Sequence, residues 1–418
     1  MLTFGSEVLD ITPSESVPLA GYGYNLGRVS MGVADKLAAT VLAVQNGRER
    51  VAMCGVDLLS VDPSTVAAVQ ENIAKQGGLP TTVMINASHT HSGPATRVLH
   101  GAGGYNESYN EQVLVPRLTD GILAAFDDMR PGEIGITRSP APGWSFNRTG
   151  GRVLDDRLTA VRVDYEGGSI AGAHFACHPT VLGPSSRLIS PDYPGSARVT
   201  LAQNSDAQAV LWLTGCAGDV NPAVRKDPNC QRSLAEAERM GVALGLLATD
   251  LYRKTQVNAG ELSTHSTAVT LPLDAGFELD PGAELEAFRK ARRIQDGADT
   301  SDVERWLGEM VPIINDNPAE AIAVPVTVLR IGRLVFVGLG AEIYNGTGLE
   351  IEAAFPGYDV VTMGTTNAHE GYVPQDRDYR VQGYAARTSA IAFGRRPLRR
   401  GSASTVRDAA IAAIAKTL

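Results

Sequence analysis

The sequence predicts an α/β protein in which mixed β-sheets are flanked by helices. Short apolar runs, typical of buried strands, alternate with longer segments of helical periodicity along the 418 residues. Some neighbouring runs are joined by a tight turn and others by a whole helix, so antiparallel and parallel strand pairs are both expected. With 44% hydrophobic and 20% charged residues, the chain can bury a large core. No linker, repeat or low-complexity segment is recognisable, which predicts a single domain over residues 1–418.

The first half of the chain alternates strands with helices. Residues 38–45 and 50–59 are predicted to form a β-hairpin, because Asn46-Gly47 between them favours a tight turn. The other elements expected in this half are helices at 63–76 and 110–128 and strands at 132–138, 158–164, 169–177 and 208–213.

The second half begins with an Ala-rich helix predicted over 233–251. It continues with strands at 262–273, with two strands around Gly332 over 323–339, with a strand at 359–363, and with a largely helical segment from 380 to 418.

A charged segment at about 280–315 has helical character and begins at Asp280-Pro281, a helix-start signal. It is interpreted either as a helical insertion over a functional site or as a surface hairpin, and the surface interpretation is favoured.

The composition excludes several classes of function. The net charge is −9 and the basic residues, as at 395–400, form only short clusters, which argues against nucleic-acid binding because that needs an extended basic face. Neither a secretion signal nor a run of about 18 uncharged apolar residues is recognisable. We therefore expect a cytoplasmic protein without stable membrane insertion. The four cysteines lack C-x-x-C spacing and are predicted to be reduced, largely core residues.

The stretch from Ser88 to Pro94 contains a His-Thr-His motif after the alternating apolar residues 81–87. If the extended backbone continues, His89 and His91 lie on one face of the strand. Neutral imidazole is the usual nitrogen ligand for zinc, so the motif indicates a metal site. The alternative is a pair of hydrogen-bonded surface histidines.

Other histidines offer further ligands. His178 ends a strand and precedes a proline, which confines it to extended geometry at a strand end and makes it a candidate third ligand. His174 lies inside the apolar run and is interpreted as a core residue. His369 follows the strand at 359–363, and ligand chemistry alone favours it over Tyr372, because tyrosine is an uncommon zinc ligand.

Seven short motifs occur in an order and spacing that resemble the catalytic domain of the neutral/alkaline, non-lysosomal ceramidase family. They are Asp10-Ile11-Thr12-Pro13 with Gly21-Tyr22-Gly23, Ser88-His89-Thr90-His91-Ser92-Gly93-Pro94, Asn147-Arg148, His178-Pro179-Thr180, Gly218-Asp219-Val220-Asn221-Pro222, Gly340-Ala341-Glu342, and Gly371-Tyr372-Val373 through Tyr384. The likeness spans nearly the whole chain. It implies the fold of that domain and hydrolysis of an amide.

The resemblance also implies a single catalytic zinc ion and its ligands. Carried over by motif, the ligands are His89, His178, Glu342 and Tyr372. Zinc that keeps a position open for water lowers the pKa of that water to about 7 and polarises a carbonyl.

Three further residues are assigned catalytic roles. His91 is the candidate proton shuttle, because it is expected to share a face with His89 without being needed as a ligand. Arg148 matches a family arginine near the acyl carbonyl or product carboxylate, and Tyr384 matches a family tyrosine that donates a hydrogen bond to the oxyanion. The alternatives are a surface ion pair for Arg148 and a core aromatic for Tyr384.

Departures from the family pattern concern the substrate. Ala385-Ala386-Arg387 stands where the family has an acidic residue, the arginine-rich run expected near residues 32–37 is replaced, and no immunoglobulin-like module is recognisable. We therefore expect a zinc-dependent amidohydrolase for a small soluble N-acyl compound rather than for membrane ceramide. The alternatives are a zinc-dependent esterase or lactonase and a catalytically silent binding protein, and a homo-oligomer is left open.

Overall fold

The computed structural model describes residues 1–23, 27–47, 49–227, 230, 232–292 and 299–418. The strands are β1 (Thr3–Asp10), β2 (Gly32–Val33), β3 (Ala38–Asn46), β4 (Glu49–Val56), β5 (Thr82–Ala87), β6 (Arg130–Pro140), β7 (Ser145–Asn147), β8 (Arg157–Tyr165), β9 (Gly168–Phe175), β10 (Leu188–Ile189), β11 (Ala209–Thr214), β12 (Val220–Pro222), β13 (Leu262–Pro272), β14 (Ala321–Ile331), β15 (Leu334–Leu339), β16 (Glu342–Ile343), β17 (Asp359–Met363) and β18 (Tyr372–Val373). The helices are α1 (Pro63–Lys75), α2 (Glu107–Tyr109), α3 (Val115–Asp127), α4 (Tyr193–Gln203), α5 (Leu234–Lys254), α6 (Pro281–Arg292), α7 (Ser301–Asn315), α8 (Asn345–Ala353), α9 (Asp376–Arg380) and α10 (Ser402–Ala415).

Two mixed sheets form the centre of the fold. The larger sheet has the strand order β11-β9-β8-β6-β1-β3-β4-β5, and the smaller has the order β13-β14-β15-β17. The outer pairs β11-β9, β4-β5 and β15-β17 are parallel, whereas the other neighbours in these two sheets are antiparallel. The predicted α/β fold with mixed sheets is confirmed.

The core lies between the sheets and under the helices. Along β3, Leu42 and Val44 point into an apolar cluster shared with Phe336 of the smaller sheet, whereas Val41 and Ala43 face a second cluster that includes α1 and α3. Helices α4 and α5 cover β8, β9 and β11, and α10 covers the smaller sheet. Each strand of this kind is therefore buried on both faces, which explains its nearly continuous apolar sequence.

Several local predictions are confirmed. The β3-β4 hairpin turns at Gly47, whose φ of 59° is favourable for glycine, and Asn46 pairs with Glu49. Helix α1 begins at Pro63, and the Asp62 carboxylate accepts a hydrogen bond from the Ser64 backbone N–H at 2.9 Å.

The C-terminal prediction was only partly right. Between 380 and 418 the long helix is α10, and the residues before it form short 3₁₀ turns at Tyr384–Ala386 and Thr388–Phe393. Alanine favours helix in isolation, but here these residues line a cavity described below, and tertiary packing overrides the propensity.

The charged segment after residue 280 forms α6 and α7, and residues 293–298 between them lie outside the described residues. The Glu284 carboxylate on α6 is 1% exposed and accepts hydrogen bonds from Arg387 Nε at 2.8 Å and Thr388 Oγ1 at 3.2 Å. Because Ala287 and Phe288 of α6 also line a cavity, the favoured surface interpretation is wrong for this helix.

Across the described ranges, no helix combines the length and the apolar character that crossing a bilayer requires.

Candidate metal centre

The His-Thr-His motif does not continue strand β5. The strand ends at Ala87, after which the backbone N–H of His89 donates to the carbonyl of Leu58 at 2.8 Å and His89 adopts a φ of 71°. The expectation of an extended backbone is therefore wrong. The turn nevertheless keeps the two rings close, with 5.2 Å between the centroids of His89 and His91. A non-glycine residue in this left-handed conformation is uncommon and is found preferentially at functional sites.

Backbone carbonyls fix the tautomers of His89 and His178. Nδ1 of His89 lies 2.8 Å from Leu59 O, and Nδ1 of His178 lies 3.0 Å from Val220 O. A carbonyl oxygen only accepts, so each Nδ1 carries the proton and each Nε2 presents a lone pair. This is the arrangement by which proteins orient histidine ligands of metals.

Glu342 brings these imidazoles together. It lies in β16, directly after the buried strand β15, and is 5% exposed. Its Oε2 is 3.0 Å from His178 Nε2 and 3.4 Å from His89 Nε2, and its Oε1 is 2.8 Å from His369 Nε2. Burial opposes the charge of this carboxylate, but the surrounding imidazoles hold its pKa well below the ordinary value.

Tyr372 completes the cluster through strand pairing. Strands β16 and β18 are parallel, and Tyr372 is the partner of Glu342 in the register. The Tyr372 hydroxyl lies 3.5 Å from His178 Nε2. Burial raises the pKa of this phenol well above its ordinary value, while the nearby Arg148 acts in the opposite direction.

The donor set fits a zinc ion. Atoms that lie about 2.0–2.2 Å from a common tetrahedral centre are separated by about 3.3–3.6 Å. The measured separations of 3.0, 3.4 and 3.5 Å among His178, His89, Glu342 and Tyr372 are close to that range. Two imidazole nitrogens and two oxygens are also donor types that zinc accepts in hydrolases, although phenol oxygen is uncommon.

His369 lies in the same cluster but contacts the other carboxylate oxygen of Glu342. His89, Glu342 and His369 offer ligand atoms that all lie within 4.8 Å of one another. His369 contacts Oε1, however, whereas His89 and His178 face Oε2. In this division His369 holds one oxygen of the carboxylate while Oε2 faces the nitrogens of His89 and His178. The preference for His369 over Tyr372 on ligand chemistry stays a prediction, because His369 also offers a ligand atom to this cluster.

The two ring nitrogens of His91 differ in their hydrogen bonding. Its Nδ1 accepts a hydrogen bond from the Tyr22 backbone N–H at 3.2 Å, whereas its buried Nε2 has no hydrogen-bond partner in the described structure. Gly21, with a φ of 82°, permits this approach, because a Cβ there would lie 2.3 Å from His91 Nδ1. Burial, His89 and His178 lower the pKa of His91 well below its ordinary value. His89, His91 and His178 also offer atoms within 4.8 Å of one another.

Arg148 and Tyr384 lie beside this cluster, and their catalytic roles stay predictions. Arg148 follows β7, its NH2 group donates to Gly218 O at 2.8 Å, and its guanidinium carbon is 5.3 Å from the ring centroid of Tyr372. Burial opposes its charge, but Tyr372 and Glu342 raise its pKa overall. The Tyr384 ring centroid is 5.8 Å from that of Tyr372, and the Tyr384 side chain is 48% exposed. The core interpretation of Tyr384 is therefore excluded.

Two cavities meet at the cluster. A small one of about 50 Å³ has apolar walls that include Leu59, Leu99, Ala102, Ala392 and Phe393. A wider one of about 350 Å³ is lined by residues that include Arg148, His178, Thr180, Arg225, Ala287 and Phe288. Both are lined by Tyr22, Gly23, His91, Tyr372 and Tyr384.

Sequence reasoning assigned no role to Tyr22, Phe393 or Arg225. Tyr22 belongs to the Gly-Tyr-Gly motif, which contributed to the family resemblance but did not indicate a function for this residue. No pattern in the sequence marks Phe393 or Arg225, because their place beside the cluster depends on loops that meet only in the folded chain.

Comparisons with known proteins show the same likeness. No family model matches the chain. A neutral ceramidase from Mycobacterium tuberculosis is 24% identical over 479 residues, which cover 94% of this chain and 74% of the relative. A solved structure described as a ceramidase complexed with C2 superposes with a TM-score of 0.77 at 19% identity, over 99% of this chain and 75% of that one. The neutral ceramidase structure from Pseudomonas aeruginosa gives a TM-score of 0.74 at 21% identity, over 98% and 74% of the two chains. The predicted resemblance to neutral ceramidases is confirmed in sequence, and the fold is theirs.

Proposed function

We propose that this neutral ceramidase-like chain is a zinc-dependent hydrolase that cleaves the amide bond of a small N-acyl compound. The observation that carries the proposal is the convergence of His89 Nε2, His178 Nε2 and Glu342 Oε2 beside the hydroxyl of Tyr372, where two cavities meet. The similarity to neutral ceramidases supports the class of reaction.

His89, His178, Glu342 and Tyr372 would hold the metal. When bound, zinc supplies Lewis acidity, which lowers the pKa of a coordinated water to about 7 and polarises a carbonyl oxygen. His369 keeps the Glu342 carboxylate oriented through its 2.8 Å contact with Oε1. Such outer contacts restrict a ligand to one orientation and strengthen metal binding.

The residues around the metal position have complementary tasks. His91 lines both cavities, and its Nε2 has no hydrogen-bond partner among the described residues, so this residue is placed to pass a proton to the departing amine. Tyr384 lines both cavities and Arg148 lines the wider one, so the phenol hydroxyl and the guanidinium can donate hydrogen bonds to oxygen atoms that gain negative charge. The aromatic and aliphatic wall of the small cavity excludes water around an acyl group.

The size of the small cavity supports a small acyl group. A volume of about 50 Å³ accommodates a few carbon atoms rather than a long chain. This supports a compact N-acyl compound over a lipid as the substrate.

The proposal is tested by metal analysis combined with turnover of N-acyl amides and matched esters. We expect purified protein to contain stoichiometric zinc and to hydrolyse short N-acyl amides. His89→Ala and His178→Ala should each lose most of the zinc, because a four-ligand site deprived of one imidazole binds more weakly. His265→Ala, on strand β13, is the matched control and should retain both metal and activity.

Three results would contradict the proposal. Full zinc occupancy in both ligand variants would show that the metal lies elsewhere. Turnover of esters without turnover of amides would favour the esterase alternative. A zinc-loaded protein without turnover of either class would favour a binding protein of the same fold.

A further inference from the structure

The wider cavity contains two guanidinium groups without a carboxylate ion-pair partner in the described part of the chain. We infer that the substrate carries a carboxylate on the amine side of its scissile amide, as an N-acyl amino acid does, and that Arg225 binds this group while Arg148 adds positive charge to the same cavity. The inference rests on the proposed function and specifies its substrate class.

Arg225 is held in the wall of the cavity by the same segment that orients a metal ligand. It lies in the 3₁₀ turn Ala223–Lys226, directly after β12, whose Val220 carbonyl fixes the tautomer of His178. Its NH1 group donates to Thr180 Oγ1 at 3.1 Å. In the described structure this is its only side-chain hydrogen bond, and it forms no salt bridge, so most of its donors are available to a ligand.

The carboxylate of Asp192 is within electrostatic range of Arg225 but is already engaged. Its Oδ2 accepts from the Leu182 backbone N–H at 2.8 Å, and its Oδ1 accepts from the Tyr193 backbone N–H at 2.7 Å. Asp192 therefore caps a helix and orders a loop, and it forms no ion pair with Arg225 in the described structure.

Arg148 brings a second positive charge to the same cavity. Burial lowers the pKa of Arg225 and Tyr22 opposes this change, whereas Arg232 and Arg148 lower the pKa further through repulsion between neighbouring cations. An anion bound at Arg225 would offset this repulsion. Guanidinium groups also bind carboxylates through paired hydrogen bonds, which makes them the usual choice for this ligand.

The two cavities differ in their lining, and this difference sets the orientation that we infer for the substrate. The inference places the acyl group in the small cavity, against its apolar wall of Leu59, Leu99 and Phe393. The other half of the substrate then enters the wider cavity, where Arg148 and Arg225 lie. In an N-acyl α-amino acid the carboxylate is separated from the amide nitrogen by a single carbon, so it stays close to the reacting centre.

The reaction is a simple hydrolysis. Water adds across the C–N bond, the acyl carbon receives the hydroxyl group and the nitrogen receives a proton. The products are a short carboxylic acid and a free amino acid, and no further reactant is needed.

The test compares three substrates of similar size. N-acetylalanine carries the carboxylate on the amine side, N-acetylalaninamide carries none, and an N-succinyl alkylamine carries it on the acyl side. We expect kcat/KM for N-acetylalanine to exceed that of the other two by about 10- to 10²-fold, the range for hydrogen bonds to a charged group. Arg225→Gln should remove most of this ratio. Lys226→Gln, which removes a neighbouring exposed charge outside the cavity, should preserve it.

The inference would be overturned if wild-type kcat/KM for N-acetylalanine were about equal to that for the other two compounds. It would also be overturned if Arg225→Gln left this ratio unchanged. Preference for the succinyl compound would move the carboxylate to the acyl side and overturn the orientation. If none of the three compounds is hydrolysed, the proposed function fails separately, and calorimetric binding of N-acetylalanine decides the inference. We then expect at least about tenfold weaker binding in Arg225→Gln than in Lys226→Gln, and equal binding would contradict it.

Discussion

Glu342 divides its two oxygen atoms between two kinds of neighbour. Oε2 faces His89 and His178, whereas Oε1 contacts His369. A carboxylate placed this way binds a metal with one oxygen while the other is fixed by a hydrogen bond, so each neighbour has a distinct role.

This division predicts different outcomes for Tyr372 and His369. Tyr372→Phe removes a ligand oxygen with little change in shape, so most of the zinc should be lost. His369→Gln can still donate a hydrogen bond to Oε1, and we expect zinc affinity to fall only about 10- to 100-fold, as for outer contacts of metal ligands. Competition with a chelator of known affinity measures both values. A larger loss in His369→Gln than in Tyr372→Phe would exchange the two roles.

The orientation of His91 gives a second prediction at this scale. His91→Ala should retain zinc while kcat falls by about 10²- to 10⁴-fold, the range for a positioned acid or base. Gly21→Ala should also retain zinc but lower kcat, because the added Cβ would lie 2.3 Å from His91 Nδ1. Elemental analysis and steady-state kinetics on each variant measure the two effects. Zinc loss in His91→Ala with retention in His89→Ala would instead make His91 the ligand.

The residues of the site differ in how far the sequence predicts them. Residue type and position after a strand indicate His89 and His178 as candidate ligands, whereas Glu342 and Tyr372 were assigned only through the resemblance to the ceramidase family. The left-handed turn at His89 is not predictable from the motif, because it depends on hydrogen bonds to Val56 and Leu58 on another segment. The role of Arg225 is not predictable for the same reason, because a single arginine in a loop has no local sequence pattern that marks it.

At the scale of elements, the helix start at Asp192 is unusual. This residue has a φ of 61°, is 3% exposed, and caps α4 through its own carboxylate. Burial raises the pKa of Asp192 to about 6. The folded chain therefore binds this proton more readily than the unfolded chain, in which the pKa is about 3.9.

The sign of the pH effect follows from linkage. Between about pH 4 and pH 6 the folded state holds the Asp192 proton that the unfolded state has released, so this group's contribution to stability falls as pH rises. We expect the difference in free energy of unfolding, wild type minus Asp192→Asn, to decrease by about 2 kcal/mol from pH 4 to pH 7, at about 1.4 kcal/mol per pKa unit. Denaturant titrations at several pH values measure it. A difference that stays constant or increases with pH would contradict the prediction.

The elements that sequence reasoning missed share a cause. Strand β1, near the middle of the larger sheet, has a mixed burial pattern and no clean alternation. Helices α4 and α8 carry Gly195, Gly346 and Gly348 in their first turns, where glycine normally indicates a turn, yet these residues are buried. The β3-β4 hairpin and α1 were predictable because turn and capping residues specify them locally. The structures of β1, α4 and α8 depend instead on packing against distant parts of the chain.

At the scale of the whole molecule, the two large sheets share one apolar cluster. Met84 of β5 and Leu211 of β11 pack in the same cluster as Phe336 of β15 and Val361 of β17. In addition, Asn86 at the end of β5 donates to Gly364 O at 2.7 Å and accepts from the Thr214 backbone N–H at 2.7 Å. The sheets therefore depend on each other for burial and for buried hydrogen bonds.

This shared core predicts cooperative unfolding. At fixed metal content, heating should give a single transition with equal calorimetric and van't Hoff enthalpies, because neither sheet can lose its partner without exposing its apolar face. Zinc in excess should raise Tm, because a ligand that binds the folded state stabilises it. Differential scanning calorimetry with and without a chelator measures both effects. Two well-separated transitions would indicate separable domains.

The central claim is that one zinc ion held by His89, His178, Glu342 and Tyr372 is required for amide hydrolysis. Its most direct test is a titration of the metal-depleted chain with zinc, in which hydrolysis of a short N-acyl amide is followed against bound zinc per chain. We expect activity to be absent at the start, to rise linearly and to reach its plateau at one zinc ion per chain. Full activity in the depleted chain would contradict the claim, and so would a plateau reached only at two ions.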